Sequence, residues 1–358
     1  MTLLDHSCKK ALSFQRLDAG DALALYRAAD LLTLGDLAHR TRLHLHHDPE
    51  VTYVVDRNIN YTNVCVSECL FCAYFRHKTD KDAYILSKDD LRQKIEETLA
   101  LGGTQILLQG GMHPDLDLTY YLDLLGFIKE NFSIHIHGFS PTEIVHISRK
   151  SGLSIEETLT ALIEAGLDSI PGGGAEILVD AVRKKISPNK CSAAQWLDVM
   201  RRAHRLGLKT TATMMFGHVE TPEEIVSHLM TVRDLQDETG GFTAFIPWTF
   251  QPDNTRIRVK PATASEYLRV LSLSRLVLDN VPNLQASWVT QGDKIAQLAL
   301  AFGANDMGST MIEENVVAAA GVHFRLPKNE IVRLIEAAGY RPVQRNCFYA
   351  PVMAEKTA

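Results

Sequence analysis

Three cysteines crowd into eight residues, Cys65-Val-Ser-Glu-Cys69-Leu-Phe-Cys72, a CxxxCxxC run. Three soft thiolates on one loop can all reach a single metal centre. A [4Fe–4S] cube has four irons, so three cysteines satisfy three of them and leave the fourth open to bind something else. Two plainer readings stand beside this one. His77 could complete a Cys3His zinc knot, or the three thiols could be buried with no ligand. Cys8, Cys191 and Cys347 are scattered along the chain.

The elements that must hold this loop follow from periodicity. The first 50 residues read as helical, with Ala22, Leu25, Ala29 and Leu32 on helical spacing. Residues 51–62, β-branched and aromatic, read as a strand that delivers the chain to the cysteines. Strand-like runs then recur at 104–111, 133–140, 167–174, 209–217, 242–250, 284–289 and 303–308, with amphipathic stretches between them. Among those stretches, one helix is expected to start near Ala175 and another to run from Met311 to Ala320. About eight alternations predict parallel strands with crossover helices, hence an α/β fold of the (β/α)8 TIM type. An open doubly wound sheet is the competing topology. The expected organisation is a helical segment over 1–50, the barrel over 51–320, and an extension over 321–358 packed on the barrel as a helix (329–338) and a strand (346–353). The strand ends carry the unusual residues, QGG, HIHGFS, PGGG, MMFGHVET and IPWTFQP. In a barrel such ends converge on one face, where chemistry is expected.

Composition narrows the class. The chain has 358 residues, 46% of them apolar and 22% charged, which can bury a large core. Its 37 Lys+Arg against 43 Asp+Glu leave a net charge of -6. Nucleic-acid binding wants a basic face, so nucleic acid is not the expected partner. No apolar run approaches a transmembrane span, and the charged N-terminus lacks a signal core, so no membrane partner is expected. Clustered rather than spread cysteines favour a reducing, cytoplasmic setting.

CVSECLFCAYF at the end of the first barrel strand resembles the signature loop of the radical S-adenosylmethionine (SAM) superfamily. The resemblance implies a [4Fe–4S] cluster on Cys65, Cys69 and Cys72, with SAM chelated to the open iron and cleaved by one electron to a 5′-deoxyadenosyl radical. It also places Tyr74 against the adenine, and the backbone of Gly110 and Gly111 at the methionine ammonium. The acidic residue usual after those glycines is Met112 here. RNINYTNVC, LLQGGMHP, HIHGFSPTEI, AGLDSIPGGGAEIL, TTATMMFGHVET, IPWTFQPDNT and GANDMGSTMIEEN resemble one small subfamily over about residues 51 to 350. It holds the aminofutalosine synthases, the deazaflavin-precursor synthase subunits and, most similar, the cyclic dehypoxanthinyl futalosine synthases of menaquinone biosynthesis. That last branch implies H4′ abstraction from dehypoxanthine futalosine, radical cyclisation onto its benzoate ring, and loss of a proton and an electron. A flavodoxin or ferredoxin is the expected electron donor.

Such chemistry needs a dry pocket, tight orientation and a base. His218 and Glu220, after the fifth strand, are the leading base and hydroxyl ligand; Asp293 and Asp306 are further candidates, though Asp293 could simply cap a helix. Ser140 lies at the expected mouth. Glu176, in PGGGAEI, could bind a ribose hydroxyl or serve as a first-turn helix acid, and the glycines before it suit an anion or a tight turn. Gln251 and Asn254 could bind substrate or shape a turn; Trp248 and Phe250 could shield a radical or pack the core. An enzyme of another class remains open. His135 and His137 alternate onto one strand face, and with His218 and Asp306 they resemble the ligand pattern of metal-dependent barrel hydrolases. Against it, HxH falls on the third strand, no metal-bridging lysine is evident, and the cysteine spacing goes unexplained. A non-enzymatic iron–sulfur or zinc scaffold is the third reading, and the many polar strand ends argue against it.

Overall fold

The computed structural model describes residues 2–352. Its strands, in chain order, are β1 (Glu50–Val54), β2 (Asp56–Asn60), β3 (Gln105–Gln109), β4 (His135–Gly138), β5 (Ser169–Ile170), β6 (Lys209–Phe216), β7 (Phe242–Thr249), β8 (Asn283–Leu284), β9 (Asp306–Ser309) and β10 (Arg341–Gln344). Strands β2 to β8 form one sheet in sequential order, and every pairing in it is parallel. Parallel neighbours need crossovers, and helices supply them between successive strands, from Lys88–Ala100 through Ala264–Val277.

The curl is completed by β9 and β1. Gln285, just after β8, bridges Asp306 in parallel, and β9 pairs with β1. Only Val55 separates β1 from β2, so the hydrogen-bonded ring returns to its start. This is the TIM-type α/β barrel expected from the alternation. β10 takes the edge of β1 next to β3, in parallel register from Glu50–Arg341 to Tyr53–Gln344. The tail therefore closes the end of the barrel where its strands begin.

Several boundaries differ from the expectations, each for a local reason. Ala22, Leu25 and Ala29 are buried, but Leu32 is 76% exposed. Asp30 breaks the stripe by capping a new helix, Leu31–Leu45, through the Thr33 N–H. No helix starts near Ala175: Gly174 and Glu176 both adopt positive φ, and helix Asp180–Ile186 begins later. Of LQASWV only Leu284 lies in β8, because Trp288 and Val289 already belong to a helix, Trp288–Ala299. The helix expected over 311–320 is a single turn, Val316–Ala319. The tail strand is Arg341–Gln344 rather than 346–353; Asn346 instead accepts N–H groups from Phe348 and Ala350 on its side chain, and Met353 lies outside the described residues. Among the described residues no helix is long and apolar enough to cross a membrane.

Candidate active site

β2 reads Asp-Arg-Asn-Ile-Asn, and all five residues are buried. Four polar side chains inside a barrel strand need partners within the barrel or a ligand. Asn58 donates to Glu314 (2.8 Å) and Arg57 to Glu97 (2.7 Å). Asp56 accepts from Gln105 (2.9 Å) and from Ser309. Beyond β2 the chain enters the cysteine loop. The loop is pinned by backbone bonds on several sides: Val66 N–H to Met112, Cys65 N–H to Arg76 and Leu70 N–H to Ile186.

Cys69 is buried and Cys65 and Cys72 are half-buried. Burial pushes all three thiols up, and donors around them oppose it. Backbone N–H groups of Ser67 and Met112 point at Cys65, and those of Tyr74 and Phe75 at Cys72. The Ser67 hydroxyl lies 3.1 Å from the Cys69 sulfur. The Lys190 charge favours the thiolate form of all three. Backbone donors aimed at sulfur and one nearby cation are what a thiolate-bound iron–sulfur cluster requires. His77 does not complete a zinc knot: its side chain is 56% exposed and reaches toward Glu68, with Nδ1 3.6 Å from Oε1.

The two glycines that end β3 fit this loop by having no side chain. A Cβ on Gly111 would stand 2.2 Å from the Val64 carbonyl oxygen and 3.0 Å from Cys65 Cβ; one on Gly110 would run into the Tyr61 ring. Gly110 is held by Glu143, a residue the motif reading passed over. One oxygen of Glu143 accepts from the Gly110 N–H (3.0 Å) and the Tyr61 hydroxyl (2.7 Å); the other accepts from the Ser140 N–H (2.7 Å) and hydroxyl (2.6 Å). Ser140 is the N-cap of helix Pro141–Ser151 and Glu143 its third residue, so the S-x-x-E capping box was the available signal. Tyr74 is half-buried, its hydroxyl 2.5 Å from that of Tyr84, which in turn donates to the Asn60 carbonyl.

Glu176 is 5% exposed and sits at φ +42°. A non-glycine residue there is strained, so its surroundings must hold it. Arg183 does so, donating to the carbonyls of Ala175 (2.6 Å), Gly174 (3.0 Å) and Cys191 (2.7 Å). The Glu176 carboxylate pairs with Lys190 (2.8 Å), whose ammonium also lies over the Phe71 ring. Lys190 therefore couples Glu176 to the cysteine loop. Lys190 and Arg183 were not singled out from sequence, because their partners lie on other segments of the chain.

A cavity of about 290 Å³ fills the barrel axis. Asp56, Gln109, His137, Glu176, Trp248 and Glu314 are among its walls, and Arg345, Cys347 and Tyr349 of the tail lie at its base. Burial raises the Asp56 and Glu314 carboxyls and lowers His137 to about 3. His218, Glu220 and Asp293 do not line it. His218 turns back on its own strand, with Nε2 3.0 Å from the Met215 carbonyl and its ring against Phe250. Glu220 is fixed beside it, 2.8 Å from Nδ1. Asp293, one residue past the Gly292 kink, lies near Arg333 on helix Lys328–Ala337, away from the axis. Asp306 is buried in an ion pair with Arg345 (2.5 and 3.0 Å). Gln251 is held by Thr249, and Asn254 by the Ala319 carbonyl. Phe250 packs in the core, whereas Trp248 faces the cavity.

A profile of the radical SAM superfamily matches residues 59–232, and one of the CofH/MqnC C-terminal region matches residues 239–357. The cyclic dehypoxanthine futalosine synthase of Halalkalibacterium halodurans is 47% identical over 348 residues, covering 97% of this chain and 94% of that protein. This chain belongs to the radical SAM superfamily. It is an enzyme of that type, and its CxxxCxxC loop follows β2. A second cyclic dehypoxanthine futalosine synthase, from Streptomyces coelicolor, is 44% identical over 95% of this chain and 86% of its own length. The 5-amino-6-(D-ribitylamino)uracil–L-tyrosine 4-hydroxyphenyl transferase of Archaeoglobus fulgidus is 43% identical over 84% of this chain and 88% of its own. Among solved structures, the FeFe-hydrogenase maturase HydG from Carboxydothermus hydrogenoformans superposes with a TM-score of 0.77 at 14% identity, over 97% of this chain and 80% of that one. Methylornithine synthase (PylB) gives 0.72 at 20% identity, over 94% and 97%. At those identities the two structures support the α/β barrel fold alone. Membership implies a [4Fe–4S] cluster and SAM, and the donors around Cys65, Cys69 and Cys72 fit the cluster.

Proposed function

We propose that this enzyme is a cyclic dehypoxanthine futalosine synthase of the menaquinone route. The observation that carries the reading is 47% identity over 97% of the chain and 94% of the relative. When bound, the cluster and SAM supply a 5′-deoxyadenosyl radical, at the expense of one electron from a flavodoxin- or ferredoxin-type donor.

The protein's share is binding, orientation and exclusion of water. Cys65, Cys69 and Cys72 hold the cluster. Gly110 and Gly111, braced by Glu143 and Ser140, offer SAM a backbone edge with no side chain in the way. Tyr74 flanks the adenine, and Glu176, held by Lys190 and Arg183, receives a ribose hydroxyl. A cavity of about 290 Å³ lies at the small end of ligand sites, which suits one substrate with little room for water. Trp248 walls it, and Asn58, Gln109 and Thr211 offer hydrogen bonds to hydroxyl groups. Loss of the ring proton needs an acceptor inside the cavity. Glu314 suits this role, because it faces the space and burial raises its affinity for a proton. His218 and Glu220 act on the architecture instead, bracing the end of β6.

A second reading is favoured by one observation, the 43% identity to a tyrosine 4-hydroxyphenyl transferase. Anaerobic incubation with reductant, SAM and each candidate substrate separates the two. Dehypoxanthine futalosine should yield a product two hydrogens lighter, together with 5′-deoxyadenosine. Turnover only with 5-amino-6-(D-ribitylamino)uracil and tyrosine would replace the first reading with the second.

A further inference from the structure

At the opposite end of the strands from the cysteine loop lies a second group of metal-ligating side chains. His135 and His137 on β4 and Cys347 of the tail each offer one ligand atom, and the three atoms lie within 4.8 Å of one another. They converge on the Ser169 hydroxyl, which is 2.7 Å from His135 Nε2, 2.6 Å from His137 Nδ1 and 3.3 Å from Cys347 Sγ. We propose that His135, His137 and Cys347 form a zinc-class metal site at the base of the barrel, with Ser169 or a water as fourth ligand.

The donor set is the first argument. Two imidazoles and one thiolate suit zinc, with bonds of about 2.0–2.1 Å to nitrogen and 2.3 Å to sulfur. Those lengths put tetrahedral ligands within about 4 Å of each other, close to the spacing already present. Burial is the second. His137 and Cys347 are buried and His135 is half-buried, so an ion held there would sit away from bulk water. Surrounding charge is the third. Lys129, Asp168, Asp56 and Arg345 are the charged groups facing the cluster. Lys129 is paired with Asp168 (2.6 Å) and Arg345 with Asp306, so neither cation is left unbalanced beside the site. Access is the fourth. His135 lines an open depression at the barrel base with Asp168, Asn346 and Phe348, while His137 and Cys347 face the inner cavity. An ion can thus arrive from outside without passing the SAM mouth.

Without a metal, the single Ser169 hydroxyl lies within hydrogen-bond distance of both rings and of the sulfur. A divalent ion would take the proton from Cys347 and cross-link β4 to a tail residue 210 positions later. That closes the floor of the cavity by a coordinate bond. The inference does not depend on which substrate the enzyme uses. It also differs from a hydrolytic centre, because the group sits where the strands begin rather than at the loops that follow them.

The test uses the full-length protein, stripped with a chelator and titrated anaerobically with Co(II). Cys65, Cys69 and Cys72 are changed to Ala in one preparation, so that cluster thiols give no signal. One cobalt per chain with a thiolate-to-cobalt charge-transfer band is expected. Cys347→Ser should abolish the band, and His137→Ala should weaken binding by about 100-fold or more. In parallel, cluster-loaded protein with its cysteines intact should retain one zinc per chain, lost in Cys347→Ser with its iron content unchanged. A missing thiolate band, or a band that survives Cys347→Ser, would overturn the site.

Discussion

Gly111 shows most sharply how one residue controls the site. Its place is set by the absence of a Cβ, because the cysteine loop passes 2.2 Å from where that atom would be. Gly111→Ala should therefore push the loop away, costing about 1–3 kcal/mol in urea unfolding and lowering the iron bound after anaerobic reconstitution. Full iron loading in that variant would show that the close approach does not matter. Glu143 belongs to the same scale. It accepts four hydrogen bonds from three elements, and Glu143→Gln forces one of those donors to face an N–H group. We expect a loss of about 1–3 kcal/mol and weaker SAM binding by equilibrium dialysis, with the cluster retained. The cysteine loop was legible because a CxxxCxxC run is a local spacing. Glu143 and Lys190 were not, since what matters is a partner 33 or 14 residues away. His218 and Glu220 looked catalytic as polar residues after a strand. The structure pairs them with each other and turns His218 to the Met215 carbonyl, contacts no spacing rule reveals.

The long strands and helices could be read from period alone, since helix Ala193–Arg205 and strand β6 each carry enough residues to repeat their pattern. β5 and β8, at two residues each, cannot show a period and were located only by the alternation around them. The tail strand was misplaced because Arg341-Pro342-Val343-Gln344 has no alternation of its own and gains its form by pairing with β1. What fastens that tail is the buried pair of Arg345 with Asp306, supported by the Arg345 guanidinium over the Tyr349 ring at 3.9 Å. Arg345→Met leaves the Asp306 charge buried with reduced compensation. It should cost about 3–5 kcal/mol in chemical denaturation and expose the tail to proteolysis. A change below about 1 kcal/mol would mean that β10 alone secures the tail.

Across the whole molecule, several histidines are folded into the interior uncharged. Burial lowers His204 to about 4 and His228 to about 3, with the Lys209 and Arg183 charges adding to the effect. A histidine whose folded pKa is depressed stabilises the protein above the unfolded value of about 6.5, and that stability is lost as pH falls toward the folded value. Unfolding free energies from urea titration should therefore decline between about pH 6.5 and 4, by up to about 1.4 kcal/mol per pH unit for each ring, with the midpoints falling accordingly. Midpoints unchanged over that window would show that the rings titrate alike in both states. The central claim about the molecule is that three thiolates at the barrel mouth leave one corner of an iron cube for SAM. Electron paramagnetic resonance of the anaerobically reconstituted, reduced protein tests it most directly. A [4Fe–4S]+ signal is expected whose g-values shift when SAM is added and which fails to form in Cys69→Ala. A signal indifferent to SAM, or a protein that assembles no such cluster, would contradict it.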